Sequence, residues 1–144
     1  TEGKGDKMQG ILETLYLGLP ILLSHFGIAL LMLAIGIVLY LVITPVNEYQ
    51  LIKEGNQAAA VTLGAAMLGI TLPLAAALGG SINIWDIVVW GSVAIALQLL
   101  VFFLVDRILS GLADRIRSNE ISAALILGAT KLSIALLNAA AIGY

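Results

Sequence analysis

AALILGATKLSIALLNAAAIGY, residues Ala123 to Tyr144, decides the reading of this chain. It is apolar throughout except for Lys131, Asn138 and a few hydroxyls. At roughly 1.5 Å per residue it is long enough, as a helix, to cross the approximately 30 Å core of a bilayer. An earlier stretch, Ala59 to Gly80, AAVTLGAAMLGITLPLAAALGG, lies on it at an offset of 64 positions. Ala59, Leu63, Gly64, Leu68, Ile70, Leu72, Ala75 and Gly79 are among the residues that meet their own kind in the later copy. Both helices are rich in Ala and Leu, so composition alone can produce part of that match.

Working outward, the whole chain of 144 residues is 60% hydrophobic and 11% charged. Soluble domains carry about 25% charged residues, so this surface must largely face lipid. The formal net charge of −2 excludes an electrostatic case for nucleic acid. There is no cysteine, hence no disulfide, thiolate nucleophile or iron–sulfur site, and a single histidine makes no metal site. No cofactor is expected. No nucleophile–base pair, carboxylate pair or phosphate loop is visible, so no catalytic residue is assigned and an enzyme is not expected. The chain opens on Thr1 rather than Met, which reads as a trimmed N-terminus, and no signal peptide is visible.

Four spans follow. The expected fold is an all-α integral membrane protein, with four transmembrane helices in two tandem two-helix repeats joined within each repeat by an amphipathic linker. Residues 1–19 form a polar, flexible lead-in and a short interfacial helix. Residues 20–80 are the first repeat, with Pro20 at the start of its first span, and residues 84–144 are the second. Each unit crosses an even number of times, so the copies share one orientation, unlike the inverted repeats of many transporters. Lys53, Arg107, Arg115 and Arg117 lie in the two long loops and Lys4 and Lys7 on the other side, which predicts cytoplasmic long loops and outside termini.

The polar groups inside the spans are the candidate site. Lys131 lies about 15 Å from either end of its span, and its side chain reaches only about 6 Å. It must find a partner, shed its proton or sit beside water. Gln98 falls at a similar depth. Asp86 and Asp106, near helix ends, are not expected to reach it. Asn138, seven positions on, shares its face, and His25 should lie at the depth of Asn138. These four, Lys131, Gln98, His25 and Asn138, form either a polar pathway or hydrogen bonds that hold helices together.

Small residues supply a second set. Gly64, Gly69 and Gly128 stand on faces where helix backbones approach closely. Pro73 is a kink or hinge inside the second span. In the polar stretch Thr44 to Gln57, Asn47, Glu48 and Lys53 are a candidate docking surface on an otherwise solvated loop.

HFGIALLMLAIGIVLYLVITPVNEYQLIKEGNQAAAVTLGAAMLGITLPLAAAL, followed by a second pair of spans ending in LLNAAAIGY, resembles the domain of unknown function 350 family of YjfL-like bacterial inner-membrane proteins. The most specific piece is Thr44 to Ala60, TPVNEYQLIKEGNQAAA. The resemblance implies a four-span protein of the bacterial inner membrane with two related halves, and no activity. On the residues, the leading expectation is a non-enzymatic assembly or scaffold component, a homo-oligomer or a binder of other membrane proteins. The alternative is a small oligomeric channel or transporter with a polar pathway near Lys131.

Overall fold

The computed structural model describes residues 2–143, and it is a bundle of six helices: α1 (Glu2–Ile43), α2 (Glu48–Lys53), α3 (Gln57–Gly79), α4 (Ile84–Ile108), α5 (Gly111–Arg117) and α6 (Ile121–Ile142). Thr1 and Tyr144, the outer limits of the expected segments, lie outside the described residues. Among those residues, α1, α3, α4 and α6 are the four helices long and apolar enough to cross a membrane. The short α2 and α5 fall in the two long loops and share one end of the bundle, the long-loop end. The turn Ser81–Asn83 marks the other, the tight-turn end.

α3 is the central element. It packs most heavily on α6, then on α4 and α1, and it touches both short helices. Its buried residues, Ala58, Ala59, Thr62, Ala66, Gly69, Ile70, Pro73, Leu74 and Ala77, form one broad face, and Ala60, Met67, Leu68 and Ala75 on the opposite side are exposed. Small side chains let α6 come close. A Cβ on Gly128 would lie 2.9 Å from Cβ of Ala65, and one on Gly69 would lie 2.6 Å from Cζ of Phe102. Gly69 and Gly128 are therefore spent inside the monomer. Gly64 is not: nothing lies within 4 Å of where its Cβ would stand. Away from these contacts, Leu31, Val38, Leu100, Leu104, Leu125, Ile126, Leu136 and Leu137 stay exposed, which suits a lipid-facing surface.

Two expectations for the first helix need correction. The lead-in over residues 1–19 is not a flexible segment with a separate interfacial helix, and Pro20 is not a helix start. α1 is continuous for 42 residues with Pro20 inside it. Proline's fixed φ suits a helix, and its cost is one backbone bond, here to the carbonyl of Tyr16. The glycines of the lead-in are interleaved with Glu, Lys, Met and Gln, which favour helix strongly enough to carry the run. Every residue from Glu2 to Ser24 is exposed, so the bundle holds α1 only through its later half. Pro73 likewise leaves α3 assigned as one helix from Gln57 to Gly79. It has no amide to give the carbonyl of Gly69.

Asparagines set the helix starts. Oδ1 of Asn47 accepts from the Gln50 amide at 3.2 Å, that of Asn56 from Ala59 at 2.9 Å, and that of Asn83 from Asp86 at 3.1 Å. Gly55, just beyond α2, has φ +86°, a conformation that costs glycine little. The two loops are also tied to each other. Asn56 Nδ2 donates to the carbonyl of Ile116 at 2.9 Å, and Asn119 Oδ1 accepts from the Ala58 amide at 3.1 Å. Val46 and Ile116 are buried beneath this brace against Ala58, Ala59, Ala123 and Ala124. The amphipathic linkers thus turn their apolar residues into the protein. Tyr49 is the exception and is exposed.

Candidate functional site

Three spanning helices, α1, α4 and α6, and the short α2 contribute to one buried polar system near the long-loop end. Lys131 of α6 is fully buried, and its Nζ lies 2.8 Å from Oδ1 of Asp106 on α4. The same nitrogen donates to the Tyr40 hydroxyl of α1 at 3.2 Å. Tyr40 in turn donates to Oε1 of Glu48 at 2.7 Å. The series runs Asp106, Lys131, Tyr40, Glu48. Two aromatic rings enclose the ammonium, with Tyr40 and Phe102 centroids 4.9 Å and 5.2 Å from Nζ. The rings meet edge to face, 5.6 Å apart at 78°.

This corrects the expectation that no carboxylate reaches Lys131. Counting rise alone, Lys131 is about 15 Å from the long-loop end of α6 and Asp106 about 3 Å from that of α4. Side chains do not project at right angles. Each Cα–Cβ bond leans toward its own helix's N-terminus. On these antiparallel helices that lean carries Lys131 toward the long-loop end and Asp106 inward, and the stem of lysine covers the rest. Thr130, a possible partner of Lys131, donates instead to Ile126 of its own helix.

Glu48 is the second correction. Proposed for a docking surface, it is 2% exposed and points into the bundle. Burial pushes its carboxyl up to about 7; the Tyr40 hydroxyl, Lys131 and Thr62 pull the other way, and Asp106 adds to the rise. Its Oε2 has no partner among the described residues. The Thr62 hydroxyl donates within α3, to the Ala59 carbonyl at 3.0 Å. Of the other docking candidates, Asn47 caps α2, and Lys53 is exposed with Nζ 4.4 Å from the Tyr49 ring centroid.

A second polar pair lies deeper. Asn138 Nδ2 donates to Oε1 of Gln98 at 3.0 Å, joining α6 to α4. Gln98 Nε2 and Asn138 Oδ1 are buried without partners among the described residues. His25 does not join them. It is half-buried on α1 and forms no hydrogen bond to any described residue, because α1 contacts the bundle mainly beyond it.

Each polar group lies beneath a surface cavity. At the long-loop end a cavity of about 440 Å³ is walled by Pro45, Asp106, Arg107, Ser110, Asp114 and Arg117. Asp106, with 9% of its side chain exposed, is the link from that cavity to Lys131. At the tight-turn end a cavity of about 450 Å³ is walled by Ser81, Asp86, Trp90, Leu97, Asn138 and Ala141. Arg117 braces the rim of the first, pairing with Asp114 at 2.6 Å and donating to the Pro45 carbonyl at 2.8 Å.

Sequence reasoning singled out Lys131, Gln98 and Asn138, and missed Tyr40, Asp106 and the inward role of Glu48. A signal for the last was present. In TPVNEYQLIKEGNQAAA, Val46 and Glu48 are two apart with a helix-capping Asn between them, so both precede or begin a helix and can point the same way.

An all-helical multi-pass membrane architecture with a buried ionisable cluster is the class that these features define. The chain belongs to the family described as Domain of Unknown Function (DUF350), whose model matches residues 14–142. It is similar to the UPF0719 inner membrane protein YjfL of Escherichia coli K12, 34% identical over 88 residues, which cover 61% of this chain and 67% of that protein. The protein of the same name from Escherichia coli O157:H7 matches to the same extent. No solved structure matches.

Proposed function

We propose that this protein moves protons or small cations across a bacterial inner membrane, as a small channel or transporter and not as an enzyme. The inner membrane is taken from the name of its Escherichia coli relatives. The observation that carries the reading is the buried series Asp106, Lys131, Tyr40, Glu48 beneath a cavity open at the long-loop end. A buried ion pair stabilises a fold poorly compared with apolar packing of the same volume, so its presence within a span calls for a use. The Glu48 carboxyl, held at about 7, exchanges its proton near neutral pH, and the Tyr40 hydroxyl connects it to Lys131. In liposomes carrying an internal pH dye, purified wild-type protein should dissipate an imposed proton gradient and Lys131→Met should not. Equal rates for the two would remove Lys131 from the mechanism.

Assembly is the second reading, favoured by Gly64, which faces open space on α3 on the side where Ala60, Met67 and Leu68 are exposed, and by the exposed apolar side chains of α1. It is compatible with the first, since four helices enclose little. For orientation we propose cytoplasmic long loops and outside termini, and we take the two halves as duplicated, with long, short and long helices occurring in that order twice. A cysteine placed at Ser118 should then resist an impermeant thiol reagent in intact cells. Ready labelling there would reverse the topology.

A further inference from the structure

The two polar groups lie on the same faces of the same two helices, with one apolar layer between them. On α4, Gln98, Phe102 and Asp106 are four apart, hence one above another. On α6, Lys131, Ala135 and Asn138 form the facing row. The middle layer consists of Phe102 and Ala135, both fully buried, with Gly69 of α3. The phenyl ring lies directly over the bare backbone of Gly69, where a Cβ would meet it at 2.6 Å and Ala135 at 3.6 Å. The layer is about one helical turn thick, or about 5 Å. Beyond it, Gln98 Nε2 offers a free donor and Asn138 Oδ1 a free acceptor, both buried, and Asn138 forms part of the wall of the tight-turn cavity.

We propose that the Gln98–Asn138 pair is a water-binding site fed from the tight-turn cavity, and that Phe102 is the gate separating it from the charged site above. A buried amide donor and a buried amide acceptor left open are costly, and a bound water supplies both missing partners. The charged site has its own access through Asp106. The phenyl ring, seated on a glycine and beside an alanine, stands between the two. Pro73 adds an acceptor at that level, because the Gly69 carbonyl receives no amide from it. The ring needs only to leave Gly69 for a continuous polar path to run from one cavity to the other. This inference deepens the transport reading, but its test does not depend on flux.

The chain has no cysteine, so single cysteines report without further engineering. In lipid nanodiscs, a small methanethiosulfonate reagent should modify Asn138→Cys and Ala141→Cys and leave Ala135→Cys protected. Adding Phe102→Ala should make Ala135→Cys react several-fold faster. Gly69→Ala, which pushes the ring aside without removing it, should do the same and serves where Phe102→Ala does not elute as a single species. Rapid labelling of Ala135→Cys in the otherwise native chain would overturn the dry layer. Protection that persists in both gate variants would overturn Phe102 as the gate, and an inert Asn138→Cys would overturn the water site. If labelling follows the proposal while liposomes show no proton flux, the gate and water site stand and the transported species is not the proton.

Discussion

The two halves of the chain follow one plan of long, short and long helices, yet the chemistry does not follow it. At the offset of 64 positions, Lys131 stands opposite Met67, Asp106 opposite Val42, Gln98 opposite Ala34 and Asn138 opposite Leu74. In the other direction, Tyr40 corresponds to Leu104 and Glu48 to Leu112. No polar member of the site has a polar counterpart. Burial differs as well: Lys131 is fully buried, while Met67 is 41% exposed. What the halves share is the order of their helices, and the site is assembled once, from Tyr40 and Glu48 of the first half and the remainder of the second. The lesson is that similarity between the halves reports how the chain is wound and says little about where its working groups are.

That comparison can be broken by installing one half's residue in the other. The largest effect belongs to Lys131→Met. It leaves the Asp106 carboxylate buried and unpaired, a loss of about 3–5 kcal/mol by analogy with other broken buried pairs. Thermal unfolding in mild detergent should show it. Adding Asp106→Val, again the first half's residue, should recover most of the loss, since an apolar pair can replace a buried ionic one at little cost. A double variant no more stable than the single one would mean that the pair is not the reason for the loss.

Next comes the same substitution at corresponding glycines. Gly128→Ile drives a side chain into Ala65 and should destabilise the monomer by about 1–3 kcal/mol or more. Gly64→Ile meets open space, so the melting temperature should hold. If the assembly reading is right, Gly64→Ile should instead lower the particle mass seen by mass photometry. Equal behaviour of the two variants would mean that the halves pack alike after all.

The smallest effect is the pH dependence contributed by Glu48, which Leu112 cannot share. A carboxyl raised from 4.5 to about 7 on folding binds its proton more tightly in the native state. Its contribution to stability is therefore full below about pH 4.5, falls as pH rises, and is lost above about pH 7. Across that window wild type should lose of the order of 1–3 kcal/mol that Glu48→Gln retains. The check is the melting temperature of both proteins at pH 5 and pH 8. Parallel shifts in the two would mean that Glu48 is not the titrating group.

The architecture was legible because bilayer crossing imposes length and apolarity on each span, and those are properties of composition. The four helices, the two amphipathic linkers and the depth of Lys131, Gln98 and Asn138 all follow from it. What was not legible depends on directions. Asp106 reaches Lys131 because side chains on antiparallel helices lean toward each other, which a count of rises omits. Glu48 turns inward because Asn47 starts α2 one residue earlier, a local geometry that a polar loop does not advertise. Gly64 and Gly128 both sit in Leu-Gly-Ala but differ in use, because which face of a helix meets a neighbour is decided by the whole bundle.

The brace between the loops has one last consequence. Asn56 holds the backbone of α5, and Asn119 holds the first turn of α3, so the halves are clasped at that end by two reciprocal bonds.

 Mechanically, that makes the long-loop end the pivot of a pair of tongs. The tips are at the opposite end, where the Ser81–Asn83 turn is the covalent link between the halves. In the proposed transporter, relative motion of the halves would be smallest beside Lys131 and Asp106 and grow toward Asn138, leaving the ion pair intact while the far end spreads and closes.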